Sequence, residues 1–288
     1  MNISLENAKN DIARSVKLAL EEDVGSGDIT AMLIPKSKTD CAQIITREAC
    51  IVCGQPWANE TFQQLGLENP VTWYVAEGES VEANTKLAEL RGNTRILLTG
   101  ERTALNFLQL LSGIATKAQR YRQSVSNRDI QVLDTRKTLP GLRIAQKYAV
   151  AVGGCDNHRI GLFDAFLIKE NHISACGSIE QAINAARELA PDKPIEVEVE
   201  DIEQLLEAER CQADIIMLDN FSEQALEQLA DITIKHARIE LSGNIILGGN
   251  TNGGEEPKNQ YANIDRISSG DLTKNCTAID LSMRLIEG

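Results

Sequence analysis

Apolar residues recur at helical spacing in the first two dozen positions. Ile12, Val16, Ala19 and Leu20 form a stripe that predicts a helix stopping near Gly25 in EEDVGSGDIT. Short apolar runs follow (AQIITR, IVCG, VTWYVA and, around Leu87, KLAEL), with turn residues between them. They predict a small α+β domain with an antiparallel sheet. A long helix is expected from near Thr99 through ERTALNFLQLLSGIATKAQRYRQSV, as a spine joining two parts. Beyond about residue 130 the rhythm changes. Six β-branched runs, IQVLD, AFLIK, IEVEV, DIIML, ARIEL and IDRISS, are separated in several places by helical segments such as SIEQAINAARELA, DIEQLLEAE and SEQALEQLA. Strands alternating with helices imply βαβ units on a parallel sheet, and six of them favour a barrel-like α/β domain. A seventh strand could hide near LRIAQKYAV or in the weakly patterned stretch around it.

Composition narrows the function classes. The chain has 288 residues, enough for one large or two modest domains, and 42% hydrophobic residues, enough for a real core. Twenty-nine Lys and Arg against 42 Asp and Glu leave a formal charge of −13, which argues against nucleic acid or an anionic membrane as partner. The amino-terminal segment lacks a signal-peptide layout, and no run approaches the ~18 apolar residues of a membrane span. Seven cysteines without a disulfide rhythm point to a reducing, cytoplasmic setting. The lone C-x-x-C, Cys50 to Cys53, has no second pair and reads as buried strand.

Polar residues close the six apolar runs. Arg136 and Lys137 follow the first, Lys169 ends the second, and Glu198 lies late in the third. Asp219 and Asn220 close the fourth, Ser242, Gly243 and Asn244 follow the fifth, and Gly270 follows the sixth. In parallel α/β folds these strand ends converge on one rim, where ligands bind. Residues 134–172 carry a net +2 and residues 196–219 a net −8, so a cationic block stands out in an acidic chain. Arg136, Lys137, Arg159 and Lys169 suit an anionic ligand, whereas Arg143 and Lys147 are expected near solvent in ion pairs. Glu196, Glu198 and Glu200 alternate onto one strand face, where inward carboxylates need cations or metal. Glu198 and Asp219 are candidate ligands for Mg²⁺ or sugar hydroxyls; a buried pair neutralised by Lys169 is the plain alternative. Glu203, Glu207 and Glu209 read as solvated helix surface.

No P-loop and no G-x-G-x-x-G follows a strand, and GSGDIT reads as a helix stop. Backbone amides around Ser242, Gly243 and Asn244 and around Gly270 could hold phosphate instead. Of three histidines only His158 and His172 fall near the rim, and no G-x-S-x-G elbow is present, so a hydrolase triad finds little support.

The segments DTRKTLPGLR, QKYAVAVGGCDNHRIGLFDAFLIKENHI, IEVEVE, IMLDNF and ELSGN, with GERTALNFLQLLSGIAT and the early EDVGSGDIT, resemble the quinolinate phosphoribosyltransferase family in order along nearly the whole chain. The resemblance implies an α/β fold: an N-terminal α/β sandwich over 1–112, an incomplete α/β barrel over 113–274, and a C-terminal helix over 275–288 packing with the first domain. It also implies a homodimer with shared sites, Mg²⁺, and transfer of phosphoribose from phosphoribosyl pyrophosphate to quinolinate with loss of CO₂, a step of NAD biosynthesis. Arg136, His158, Arg159 and Lys169 would then bind the quinolinate carboxylates, with Thr138 beside them and Arg102 reaching the neighbouring subunit. Lys137 and Lys169 would meet phosphoribosyl pyrophosphate, with Glu198 and Asp219 at ribose and metal. Ser242, Gly243, Asn244 and Gly270 would cradle the 5′-phosphate. The chain departs from the family pattern in a Gly- and Asn-rich stretch, IILGGNTNGGEEPKNQYAN, expected as a flexible loop, and in Asp271 after Gly270. Two other readings use the same scaffold: a non-catalytic ligand binder, and phosphoribosyl transfer to nicotinate, whose single carboxylate needs fewer cations.

Overall fold

The computed structural model describes residues 2–68, 71–125, 129–242 and 263–286. The chain forms two compact units, one of Met1–Arg122, Lys137–Cys155 and Leu272–Gly288, the other of Gln123–Arg136 and Asp156–Asp271.

In the first unit, helix α1 (Leu5–Val24) opens on a Ser4 side chain that accepts from the Asn7 amide and closes at Gly25, with φ 53°. Strands β1 (Thr39–Thr46), β2 (Cys50–Ile51), β3 (Thr72–Trp73), β4 (Ser80–Val81) and β5 (Lys86–Asn93) surround helix α2 (Gln55–Gln64), and helix α3 (Thr94–Ser124) runs unbroken for 31 residues. The antiparallel sheet has the order β12–β1–β5–β3, where β12 is Leu281–Ile286. The expected C-terminal helix is therefore corrected to a strand. Leu281 and Met283 alternate with Ser282 and Arg284, a period-two pattern that turns the two apolar side chains into the core against Ile44, Leu87 and Leu90. Cys50 and Cys53 are buried as expected of core residues. Their strand is pinned to α3, where Thr116 Oγ1 accepts from the Ile51 amide at 2.8 Å and Ser112 Oγ from the Cys53 amide at 3.0 Å.

LRIAQKYAV forms helix α4 (Arg143–Val152) of this unit rather than a seventh strand. Lys147 is wholly buried there, against the expectation of a solvent-facing charge, because Ala145, Tyr148, Ala149 and Val150 bring that turn into the interior. Arg143 donates from Nε to Thr138 Oγ1 at 3.1 Å.

In the second unit all six expected runs become strands: β6 (Gln131–Leu133), β7 (Phe166–Ile168), β8 (Ile195–Val199), β9 (Ile215–Asp219), β10 (Arg238–Ser242) and β11 (Arg266–Ser268). They form one parallel sheet in the order β6–β11–β10–β9–β8–β7, the open wall of an incomplete barrel. Helices α5 (Glu170–Cys176), α6 (Ile179–Leu189), α7 (Ile202–Arg210) and α8 (Glu223–Leu229) connect successive strands, and the short α9 (Asp271–Lys274) follows β11. At the free edge of β6, Asp156 forms a single bridge with Leu133, which stands where a seventh strand would be. Glu209 at the end of α7 is not merely surface: its carboxylate accepts from the Lys235, His236 and Ala237 amides and orders the turn into β10.

Register makes the two faces of this sheet chemically different. Val199, Leu218, Leu241, Ile267 and Val132 align across five strands and are all buried, an apolar row. On the other face Glu198, Met217, Glu240, Arg266 and Gln131 align across the same strands.

One glycine of the first unit tests the packing of α3. A Cβ at Gly113 would run into the Thr277 carbonyl oxygen. Gly113→Ala is expected to lower the melting temperature by roughly 5 °C or more; an unchanged thermal melt would show that this contact does not limit the fold.

Candidate functional site

The polar face of the parallel sheet leads up to a rim of strand ends. Lys169 directly follows β7, Asp219 and Ser242 close β9 and β10 side by side in register, and Gly270 lies just past β11. Lys169 Nζ lies 2.5 Å from Glu198 Oε2, the neutralising pair that the plain alternative expects of Glu198. Its backbone is fixed as well, since the Lys169 amide donates to His172 Nδ1 at 3.0 Å. Asn220 takes a left-handed φ of 52°, which turns the chain away immediately after Asp219.

The loop between the Asp156 bridge and β7 carries the arginine. Asp134, fully buried one residue past β6, accepts from Asn157 Nδ2 at 2.8 Å and from the His158 amide at 2.9 Å. Asp164 accepts from the Ile160 and Gly161 amides at 2.7 and 2.9 Å. Between these two carboxylate clamps, Arg159 Nη1 donates to the Ala165 carbonyl at 3.1 Å. Burial, and after it the positive charge of Arg136 nearby, lower the Arg159 pKa, and Glu196 and Asp164 only partly oppose this. Two guanidinium groups close enough to disfavour one another form a place where an anion is welcome.

Beneath them lies a buried ionic group. His158 Nε2 is 3.0 Å from Glu196 Oε2 and 3.3 Å from Glu240 Oε1, and Arg266 Nε is 3.3 Å from Glu240 Oε2. All four side chains are under a tenth exposed. The other ring nitrogen, Nδ1, accepts from the Arg159 amide at 2.8 Å. Burial disfavours an imidazolium, whereas the adjacent Glu196 and Glu240 carboxylates raise the His158 pKa; because Nδ1 accepts, the proton they favour lies between Nε2 and these carboxylates. Two carboxylates, one guanidinium and one imidazole become electrically neutral by holding one proton beyond a neutral ring. The Arg159 amide competes for Nδ1 and keeps that proton on the Nε2 side. There burial, and then the charge of Glu240, push the Glu196 carboxyl up. Glu240 is held low despite its burial, first by its close contact with His158 and then by the charges of His158 and Arg266. The ligand atoms of His158, Glu196 and Glu240 lie within 4.8 Å of one another, but Arg266 on the far side of Glu240 would repel a metal ion.

Other expected residues lie elsewhere. Glu200 is exposed beyond the end of β8, apart from Glu196 and Glu198. Arg102, exposed on α3, belongs to the first unit with exposed Lys137 and half-buried Thr138. The Lys137 carbonyl accepts from Thr273 Oγ1 at 2.9 Å. The amide of Asp271 donates to Ser269 Oγ at 3.3 Å. Gly243, Asn244 and the Gly- and Asn-rich stretch lie outside the described residues. Sequence reasoning singles out neither Glu240 nor Arg266. The signal available was a charge flanked by apolar residues inside each run, Glu240 between Ile239 and Leu241 in ARIEL and Arg266 before Ile267 in IDRISS.

Known proteins show the same scaffold. Residues 28–112 match the quinolinate phosphoribosyl transferase N-terminal domain and residues 114–284 its C-terminal domain. A probable nicotinate-nucleotide pyrophosphorylase (carboxylating) of Bacillus subtilis is 38% identical over 263 residues, 91% of this chain and 89% of that protein. The nicotinate-nucleotide pyrophosphorylase (carboxylating) of Mycobacterium leprae is 36% identical over 98% of this chain and all of its own length. The solved nicotinate-nucleotide pyrophosphorylase of Francisella tularensis is 43% identical and superposes with a TM-score of 0.88 over 96% of both chains. On both domain matches and this identity, the chain belongs to the quinolinate phosphoribosyl transferase family.

Proposed function

We propose that the chain transfers phosphoribose from phosphoribosyl pyrophosphate to quinolinate with decarboxylation, giving nicotinate mononucleotide, pyrophosphate and CO₂ in NAD biosynthesis. The observation that carries this reading is the pairing of two different sites on one sheet. Arg159 and the nearby Arg136 offer forks for carboxylates, and Lys169, Glu198, Asp219 and Ser242 line the strand ends. A ligand with two carboxylates and a second ligand with a sugar and phosphates need these two kinds of group side by side.

The chemistry follows from the residue types. The pyridine nitrogen forms a bond to the anomeric carbon as the bond to pyrophosphate breaks, and positive charge builds on the ribose. Glu198 and Asp219 stabilise that charge electrostatically. Lys169, already held by Glu198, is placed to meet a carboxylate or the departing oxygen. The product ring is a pyridinium, so the bond from ring carbon to the 2-carboxylate breaks with its electron pair held by the ring, CO₂ leaves, and a proton takes its place. This step needs a fixed carboxylate more than a strong acid or base.

Glu198 and Asp219 are hard oxygen donors at the ends of neighbouring strands, which suits Mg²⁺ held directly or through water. When bound, Mg²⁺ would neutralise charge on the leaving pyrophosphate. Backbone amides near Ser242 and Gly270 remain the candidates for the 5′-phosphate. Lys137 and Thr138 join the substrate set on the strength of the motif alone.

A homodimer supplies Arg102 from the second copy. Its support is the exposed apolar surface that each unit carries: Ile29 and Leu33 are 81% and 83% exposed in the first, and Leu162 and Phe163 are each 74% exposed in the second. Seven cysteines without a disulfide rhythm favour a cytoplasmic location, and among the described residues no helix is long and apolar enough to cross a membrane.

Incubation with phosphoribosyl pyrophosphate, Mg²⁺ and either acid is expected to yield mononucleotide and CO₂ from quinolinate and far less product from nicotinate. Turnover of nicotinate alone would identify the other transferase, and turnover of neither a ligand binder. Lys169→Ala is expected to reduce kcat by about 100-fold or more in a folded protein; near-normal turnover would remove Lys169 from the chemistry. Chelation of divalent ions should abolish turnover, Mg²⁺ should restore it, and Asp219→Asn should raise the Mg²⁺ concentration needed for half-maximal rate by about tenfold.

A further inference from the structure

The sequence motif makes His158 a fourth carboxylate ligand, but the geometry assigns it other work. His158 is 7% exposed, its Nε2 faces Glu196 and Glu240, and its Nδ1 accepts from the Arg159 amide. A ring with both nitrogens so engaged has no donor left for a substrate carboxylate. We propose that Glu196 and Glu240, braced by Arg266, are positioning residues that lock the His158 ring, and that the ring in turn holds the Arg159 backbone so that its guanidinium stands ready beside Arg136 for a quinolinate carboxylate. The proposal rests on the reading that quinolinate is the substrate.

Three observations support it. First, the two buried carboxylates come from strands that do not touch one another, β8 and β10 with β9 between them, so the ring is fixed from two directions by the rigid sheet. Second, His158 Nε2, the Glu240 oxygens and Arg266 Nε make no well-directed hydrogen bond. The group is therefore held by charge at 3.0 to 3.3 Å and depends on all members being present. Third, Arg159 is held by its own main chain and by a single carbonyl contact at Ala165. A buried ionic group with no net charge adds no attraction of its own for a dianion. Selectivity for two carboxylates then falls to the arginines, and the tetrad sets their geometry.

A double-mutant cycle tests this. Glu196→Gln keeps the shape and removes one carboxylate. It is expected to raise the quinolinate KM about tenfold, with kcat and the KM for phosphoribosyl pyrophosphate within about twofold. In an Arg159→Ala background the same change should have no further effect, because its route to substrate is gone. An equal rise in that background, or an equal rise for phosphoribosyl pyrophosphate, would overturn the proposal. Glu240→Gln leaves Arg266 uncompensated and could fail to fold, so Glu240→Leu/Arg266→Leu replaces both charges together. That protein should fold and still bind quinolinate weakly, and wild-type affinity would count against the idea. Imidazole ¹⁵N spectra of the wild-type protein without substrate supply a separate readout: Nδ1 should appear as an acceptor, with the Arg159 amide shift moving in Glu196→Gln. A wild-type ring protonated at Nδ1 overturns the proposal whatever the substrate. Failure of the wild-type protein to use quinolinate, with these spectra as expected, instead overturns the substrate reading and leaves the His158–Arg159 lock standing.

Discussion

Register across the parallel sheet is the constraint on which the rest depends. Because residues paired between neighbouring strands leave from the same face, placing Leu218 against Val199 and Leu241 in the apolar layer forces Met217, Glu198 and Glu240 onto the other. A slip of one residue in β10 would bury Arg238 and Glu240 among apolar side chains and bring Ile239 and Leu241 to the ligand face. The cost of that error is large, since an unpaired buried carboxylate is among the most expensive groups in a protein interior. The chemistry of the rim and the stability of the sheet are therefore set by the same alternation.

That alternation was the legible part. Six apolar runs with polar closures sufficed to place Lys169, Glu198, Asp219 and Ser242 at the ends of parallel strands, and the cost of inward carboxylates was readable in IEVEV. What neutralises them was not. Glu240 and Arg266 each share an apolar run with an opposite charge, Arg238 and Asp265, and only the strand order β11–β10–β9–β8 brings them into line with Glu196 and His158. Pairing order depends on loop closure and helix packing over the whole unit, which no local window contains.

The other misreadings share a cause. Lys147 lies in an amphipathic-looking stretch, so its charge suggested solvent; tertiary packing buried the turn that carries it. The C-terminal helix is what the resemblance implies, not what the local pattern holds. Leu281 and Met283, two apart, already held the strand period, and β1 had an edge open to receive it. In place of a seventh strand near LRIAQKYAV the chain forms helix α4, and a single bridge at Asp156 covers the edge of β6.

A chain of net charge −13 must still attract two polyanionic substrates, and the buried tetrad bears on how it does so. Carboxylates on the ligand face would oppose a dianion if they kept their charge uncompensated. Glu196 and Glu240 are matched by Arg266 and one proton, and Glu198 by Lys169, so the sheet contributes polar groups without a net negative field. Against that nearly neutral floor, Arg136 and Arg159 act at short range, where screening by salt is weak and the acidic surface farther away counts for little. Neutralising the carboxylates one by one, rather than adding cations in bulk, lets a strongly acidic protein hold an anion site.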